Sequence, residues 1–85
     1  MNEIKKQVIH VLEQISLSSI EDTSLTLASD LTLDSLRMVM LLITLEDTFH
    51  IEFGQSDMNP FLLLTVEDVI QLVAKYVSKG DEDNG

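Results

Sequence analysis

Cysteine is absent from the 85-residue chain, which excludes a disulfide framework, thiolate metal sites and a cysteine nucleophile. Tryptophan is absent too, and aromatic residues make up only 5% of the chain, so a core drawn from its 45% hydrophobic share must be aliphatic. Positive charge is scarce. Five Lys and Arg stand against fifteen Asp and Glu, for a formal net charge of −10. Nucleic-acid binding depends on cations that neutralise phosphates, so this balance argues against it, and anionic membranes are disfavoured for the same reason. An acidic domain is better matched to basic patches on other proteins, where charge speeds encounter. No apolar run nears the ~20 residues of a membrane-spanning helix. The N-terminal residues Met1-Asn2-Glu3-Ile4-Lys5-Lys6 lead into an amphipathic pattern rather than a signal-peptide stretch. These features predict a single domain over 1–80 in a soluble cytoplasmic protein, followed by a disordered acidic tail over 81–85.

Periodicity predicts helices. Ile4, Val8, Val11, Leu12 and Ile15 recur at three-and-four spacing over 3–15, and Ser16, Ser18 and Ser19 mark the end. Over 20–34 the helical period is lost, and Ile20, Leu25, Leu27, Leu31 and Leu33 are interspersed with Thr, Ser and Asp. Such alternation is compatible with strands. No glycine-containing hairpin turn joins the runs, however, so we expect a long loop pinned to the core by its leucines. Asp34 or Ser35 supplies the N-cap of a second helix over 36–50. Asp57-Met58-Asn59-Pro60-Phe61 suggests a brief helical turn or a tight turn, and Phe61-Leu62-Leu63-Leu64 is expected to close one end of the core. Thr65-Val66-Glu67-Asp68 resembles a capping box with Asp in place of the usual Glu or Gln. It opens a last helix that buries Val66, Val69, Ile70, Val73 and Val77, carries Lys75 and Lys79 near its end, and stops at Gly80. The expected fold is all-α: a small four-helix bundle of three main helices and a short third one, with a long loop between helices one and two.

The second helix carries two apolar stripes. Met38, Leu41, Leu42, Leu45 and Phe49 form the core stripe, while Leu36, Met40 and Ile43 lie nearly opposite, with Asp47 continuing their row. Leaving such side chains in water forgoes ~1.5–3 kcal/mol each. Either the helix is covered on both sides, or these residues form an exposed patch where a partner docks. The row begins one residue after Ser35. A serine at a helix start is commonly a cap, yet the free N–H groups there also suit a phosphate ester. Without a partner base its hydroxyl is a poor nucleophile and needs an external enzyme to activate it. His10 and His50 have no second histidine or carboxylate at metal-site spacing. Asp30 and Asp34 lack the alternating oxygen ligands of a calcium loop, so no metal site is expected.

Asp30-Leu31-x-Leu33-Asp34-Ser35-Leu36, then Leu45-Glu46-x-x-Phe49-x-Ile51-x-Phe53 and Thr65-Val66-x-Asp68-Val69, follow one another across nearly the whole chain. In these motifs the sequence resembles the acyl carrier protein and peptidyl carrier protein superfamily, and its start at Met1 without a linker suggests the free-standing type. The resemblance implies that Ser35 carries a 4′-phosphopantetheine arm, transferred from coenzyme A by a magnesium-using phosphopantetheinyl transferase that Asp34 helps to recruit. The arm's thiol would hold an acyl or aminoacyl group as a thioester. It would present that group to a loading enzyme and then to a downstream synthase or transferase. Such a chain is a monomeric covalent shuttle and not an enzyme. The missing cysteine is consistent, because the working thiol comes with the cofactor.

Two departures from the family pattern stand out. Thr32 occupies a position where the family often has Gly. Arg37, Met40 and Ile43 lie where carriers of primary fatty-acid synthesis tend to have acids, which leaves only Glu46 and Asp47. Partner contacts at Leu36, Arg37, Met40, Ile43 and Asp47 would then be largely apolar, as in polyketide, nonribosomal peptide or siderophore assembly. Met40 offers a flexible, polarizable contact, and Arg37 could interact electrostatically with a neighbouring phosphodiester. Two other readings stay open: a carrier of primary fatty-acid synthesis, and a carrier-like protein-interaction subunit with Ser35 unmodified. A serine hydrolase is disfavoured, since no histidine is placed to act as its base.

Overall fold

The computed structural model describes residues 2–57 and 63–84, with side chains over 3–57 and 63–78. Among them stand three α-helices, α1 (Asn2–Ser16), α2 (Ser35–Phe49) and α3 (Val66–Asn84), and a 3-10 turn at Gln55–Asp57. The regular elements of the described residues are thus all helical, as the periodicity predicts. The one sheet-like feature among the described residues is an isolated antiparallel bridge between Thr26 and Thr65. The turn expected at Asp57-Met58-Asn59-Pro60-Phe61 lies, beyond Asp57, outside the described residues, as does Leu62. No helix among the described residues is long and apolar enough to cross a membrane.

Helix α1 packs against both α2 and α3. Its stripe buries Val8, Val11 and Leu12; α2 adds Met38, Leu41, Leu42 and Leu45, and α3 adds Val66, Val69, Ile70 and Val73. The segment 17–34 has no helix, yet it buries Ile20, Leu27, Leu31 and Leu33 in the same core. Its backbone is held at the entry of α3. The Leu27 N–H donates to the Leu64 carbonyl at 2.9 Å, and the Val66 and Glu67 N–H groups donate to Leu25 and Thr23 at 3.0 and 2.9 Å. The alternation in this segment therefore has a partial strand meaning, realised as one bridge. Within it, Asp22 accepts the backbone N–H and then the hydroxyl of Ser24, which together hold its carboxyl below the ordinary 3.8. Among the described residues Phe53 is the buried aromatic in an otherwise aliphatic and thioether core, and it meets Tyr76 edge-on with ring centres 5.0 Å apart.

Both α1 and α2 end without glycine. Leu17 (φ 59°) and His50 (φ 56°) instead take the left-handed conformation, at about 1–2 kcal/mol for a residue with a Cβ. A glutamate serves each exit twice. The Glu13 carbonyl accepts the Leu17 N–H at 2.9 Å, and its carboxylate accepts the Ile20 N–H at 2.8 Å. The Glu46 carbonyl accepts the His50 N–H, and its carboxylate accepts the Phe53 N–H at 2.8 Å. Each carboxylate thus catches the chain seven residues on and seats a buried side chain, Ile20 or Phe53.

Helix α3 opens with the expected capping box. Asp68 donates its N–H to Thr65 Oγ1 at 3.3 Å, and its carboxylate accepts the Thr65 and Leu64 N–H groups at 3.1 and 2.9 Å. The shorter Asp does the work of Glu and satisfies two donors. The far end corrects the sequence expectation: α3 does not stop at Gly80, and the residues assigned to the tail, 81–84, form its last turn. No glycine among the described residues takes the positive φ that a glycine stop requires.

Candidate functional site

Asp34 lies in extended backbone (φ −86°, ψ −178°), and its carboxylate accepts the Arg37 N–H at 2.9 Å. The N-cap is therefore Asp34, and Ser35 is the first residue of α2. That assignment frees the Ser35 hydroxyl from capping and leaves the residue exposed. The Ser35 and Leu36 amides belong to the turn that has no intrahelical acceptors, at the positive end of the helix dipole. Just upstream, the Asp30 carboxylate accepts the Thr26 N–H and hydroxyl at 2.8 and 3.1 Å, while its own N–H donates to that hydroxyl at 3.1 Å. Asp30 is thus committed to the turn that delivers the chain to Ser35.

Ser35 and Asp34 line a cavity of about 280 Å³ whose other walls are apolar: Leu27, Ala28, Leu33, Met38 and Leu63. Segment 17–34, α2 and the approach to α3 each contribute to it. On the outer face of α2, Leu36, Met40 and Ile43 are exposed, Ile43 to 54%, so neither the loop nor a neighbouring helix covers this stripe. Asp47 is exposed at the end of the row. Val39 joins the patch; the expected row omits it, although it stands three residues after Leu36 and four before Ile43, the spacing of one helix face. Leu17 and Leu64 are exposed as well; lying outside regular helix, they fall under no pattern that helical spacing could flag.

Two charged residues on α2 have structural partners. Arg37 Nη1 donates to the Ile15 carbonyl at 2.8 Å, placing a cation at the C-terminal end of α1, where the helix dipole favours it. Arg37 therefore bridges the two helices rather than standing free beside Ser35. Glu46 holds the exit of α2, which leaves Asp47 as the uncommitted acid of the pair. His10 and His50 are exposed, and no group of three potential metal ligands occurs among the described residues.

Thr32 has φ 53° and donates its hydroxyl to the Leu31 carbonyl at 2.7 Å. A β-branched side chain is poorly accommodated in left-handed backbone. Thr32→Gly is expected to stabilise the fold by about 0.5–1 kcal/mol, the relief of that strain less the entropy glycine loses on folding. A raised urea midpoint with an unchanged slope would register it. No family model matches this chain, and neither a curated protein nor a solved structure does.

Proposed function

We propose that the chain is a carrier protein that holds an acyl or aminoacyl group as a thioester on a 4′-phosphopantetheine arm at Ser35. The observation that supports this best is an exposed serine at the first position of α2, relieved of capping by Asp34 and bordering an apolar cavity. These residues fit the group. The hydroxyl is open to an external enzyme, and the first-turn amides of Ser35 and Leu36 suit a phosphodiester. The bound arm would supply the thiol that the chain itself lacks. Ser35 Oγ would take the phosphopantetheinyl group from coenzyme A, whose 3′,5′-ADP portion leaves. The left-handed backbone at Thr32 agrees with the glycine that carriers often have at that position. On this reading the fold is the four-helix bundle of the family, the protein is a cytoplasmic monomer, and it is not an enzyme.

Partners follow from the outer face of α2. Leu36, Met40 and Ile43, extended by Val39 and ending at Asp47, would meet the loading and downstream enzymes through largely apolar contact. That favours a specialised pathway, such as polyketide, nonribosomal peptide or siderophore assembly, over primary fatty-acid synthesis. Met40→Glu and Ile43→Glu are expected to change stability by no more than about 0.5 kcal/mol, as exposed substitutions do. The same changes should raise the apparent KM of the cognate enzyme for the carrier at least about tenfold, since a charge buried without a partner is costly. Unfolding by either substitution would return the stripe to the core.

The reading itself is tested by incubating the protein with coenzyme A, Mg²⁺ and a broad-specificity phosphopantetheinyl transferase, then measuring intact mass. One phosphopantetheine should be gained and map to Ser35. No gain would favour the unmodified interaction subunit.

A further inference from the structure

Leu17 unites two unfavourable features. It follows α1 with φ 59°, and its side chain is 81% exposed, more than any other large hydrophobic among the described residues. Left-handed backbone favours glycine or asparagine over leucine, and an exposed leucine gains nothing from burial. The fold has no use for these methyl groups. Their location is informative. Leu17 lines a pocket of about 330 Å³ with Thr32 and Arg37, so it stands beside the chain on both sides of Ser35. Leu36, Val39, Met40 and Ile43 are exposed along α2 from the residue after Ser35 onward, and Leu64 follows a residue of the Ser35 cavity. Asp34 lines the Ser35 cavity and Asp47 is exposed on α2 at the end of that row, while Arg37 is held by the Ile15 carbonyl and Lys75 by Asp57.

We propose that Leu17 is a docking contact for the enzyme surface that closes over Ser35, a surface apolar at its centre and bearing Lys or Arg at its rim. The proposal rests on the carrier reading and adds a residue outside α2 to it. Strain kept at an exposed position is typical of functional sites, and the net charge of −10 selects a basic rim.

Leu17→Gly and Leu17→Asn both tolerate the left-handed backbone and remove the methyl groups. Thermal unfolding is measured for each, together with initial rates of modification by a phosphopantetheinyl transferase with coenzyme A and Mg²⁺ at varied carrier concentration. Leu17→Gly should melt about 4 °C higher, the shift that relief of backbone strain produces in a domain of this size. Both variants should show KM raised about tenfold and kcat within about twofold of the parent. A merely structural residue would not couple greater stability to weaker docking. Unchanged KM in both variants, with the parent modified normally, overturns the proposal. An unmodified parent removes the carrier reading, and the role of Leu17 with it. Self-association of the parent that both variants lose would assign the surface to a second copy of this chain, and would likewise overturn it.

Discussion

Alanine at position 35 is expected to abolish the gain of phosphopantetheine while leaving the fold intact. The two outcomes separate because the cap and the proposed attachment site fall on adjacent residues. Asp34 accepts the Arg37 N–H, so removing the Ser35 hydroxyl costs no cap. Alanine also has the highest intrinsic helix propensity. The stability of Ser35→Ala should stay within about 0.5 kcal/mol of the parent. Asp34→Ala is the contrasting case. It removes the acceptor of that N–H and should cost about 1 kcal/mol, with the serine still present. Intact mass and urea unfolding on the two variants therefore read different residues. A Ser35→Ala protein that still gains the full mass would move the attachment to another hydroxyl and defeat the assignment of Ser35.

Leu27→Ala should be the most damaging substitution in the segment before α2, at about 2–5 kcal/mol. The loss is large beside the ~5–15 kcal/mol that stabilises whole domains. Leu27 is 1% exposed although it lies in irregular chain. Its N–H donates to Leu64 and its carbonyl accepts the Leu33 N–H, both at 2.9 Å, so its backbone is tied to two places as well. The side chain also forms part of the wall beside Ser35. Truncation would therefore enlarge that cavity and loosen the approach to the serine together. A cost below about 1 kcal/mol, outside the range for buried leucines, would mean that the segment is not anchored by its leucines.

The helices were legible because their apolar residues repeat at helical spacing and their caps are local. Asp34 and Thr65 sit within three residues of the amides or acids they engage, a distance that sequence displays directly. The double service of Glu13 and Glu46 was not legible. Both look like ordinary surface acids on their helices, and only the folded chain shows the amide of Ile20 or Phe53 arriving at each carboxylate. The pairing of Thr26 with Thr65 was hidden for a related reason: alternation signals extended chain without naming its partner. At the site, the outer stripe of α2 was visible as a surplus of apolar residues, but whether it was covered depended on contacts made by distant chain. The partner of Arg37 was hidden in the same way. Its neighbourhood in sequence points to Ser35, whereas its guanidinium reaches 22 residues back to Ile15.

The two helix exits divide the acidic residues into distinct kinds. Glu13 and Glu46 hold corners, and Asp34 and Asp68 hold helix starts, whereas Glu21 and Glu52 stand exposed. Isoelectric engineering of this chain would therefore not be uniform in its effects. Neutral replacements at Glu21 and Glu52 would trim the surrounding field and leave the architecture alone. Alanine at Glu13 or Glu46 would change the charge by the same amount and leave the Ile20 or Phe53 amide without its carboxylate acceptor.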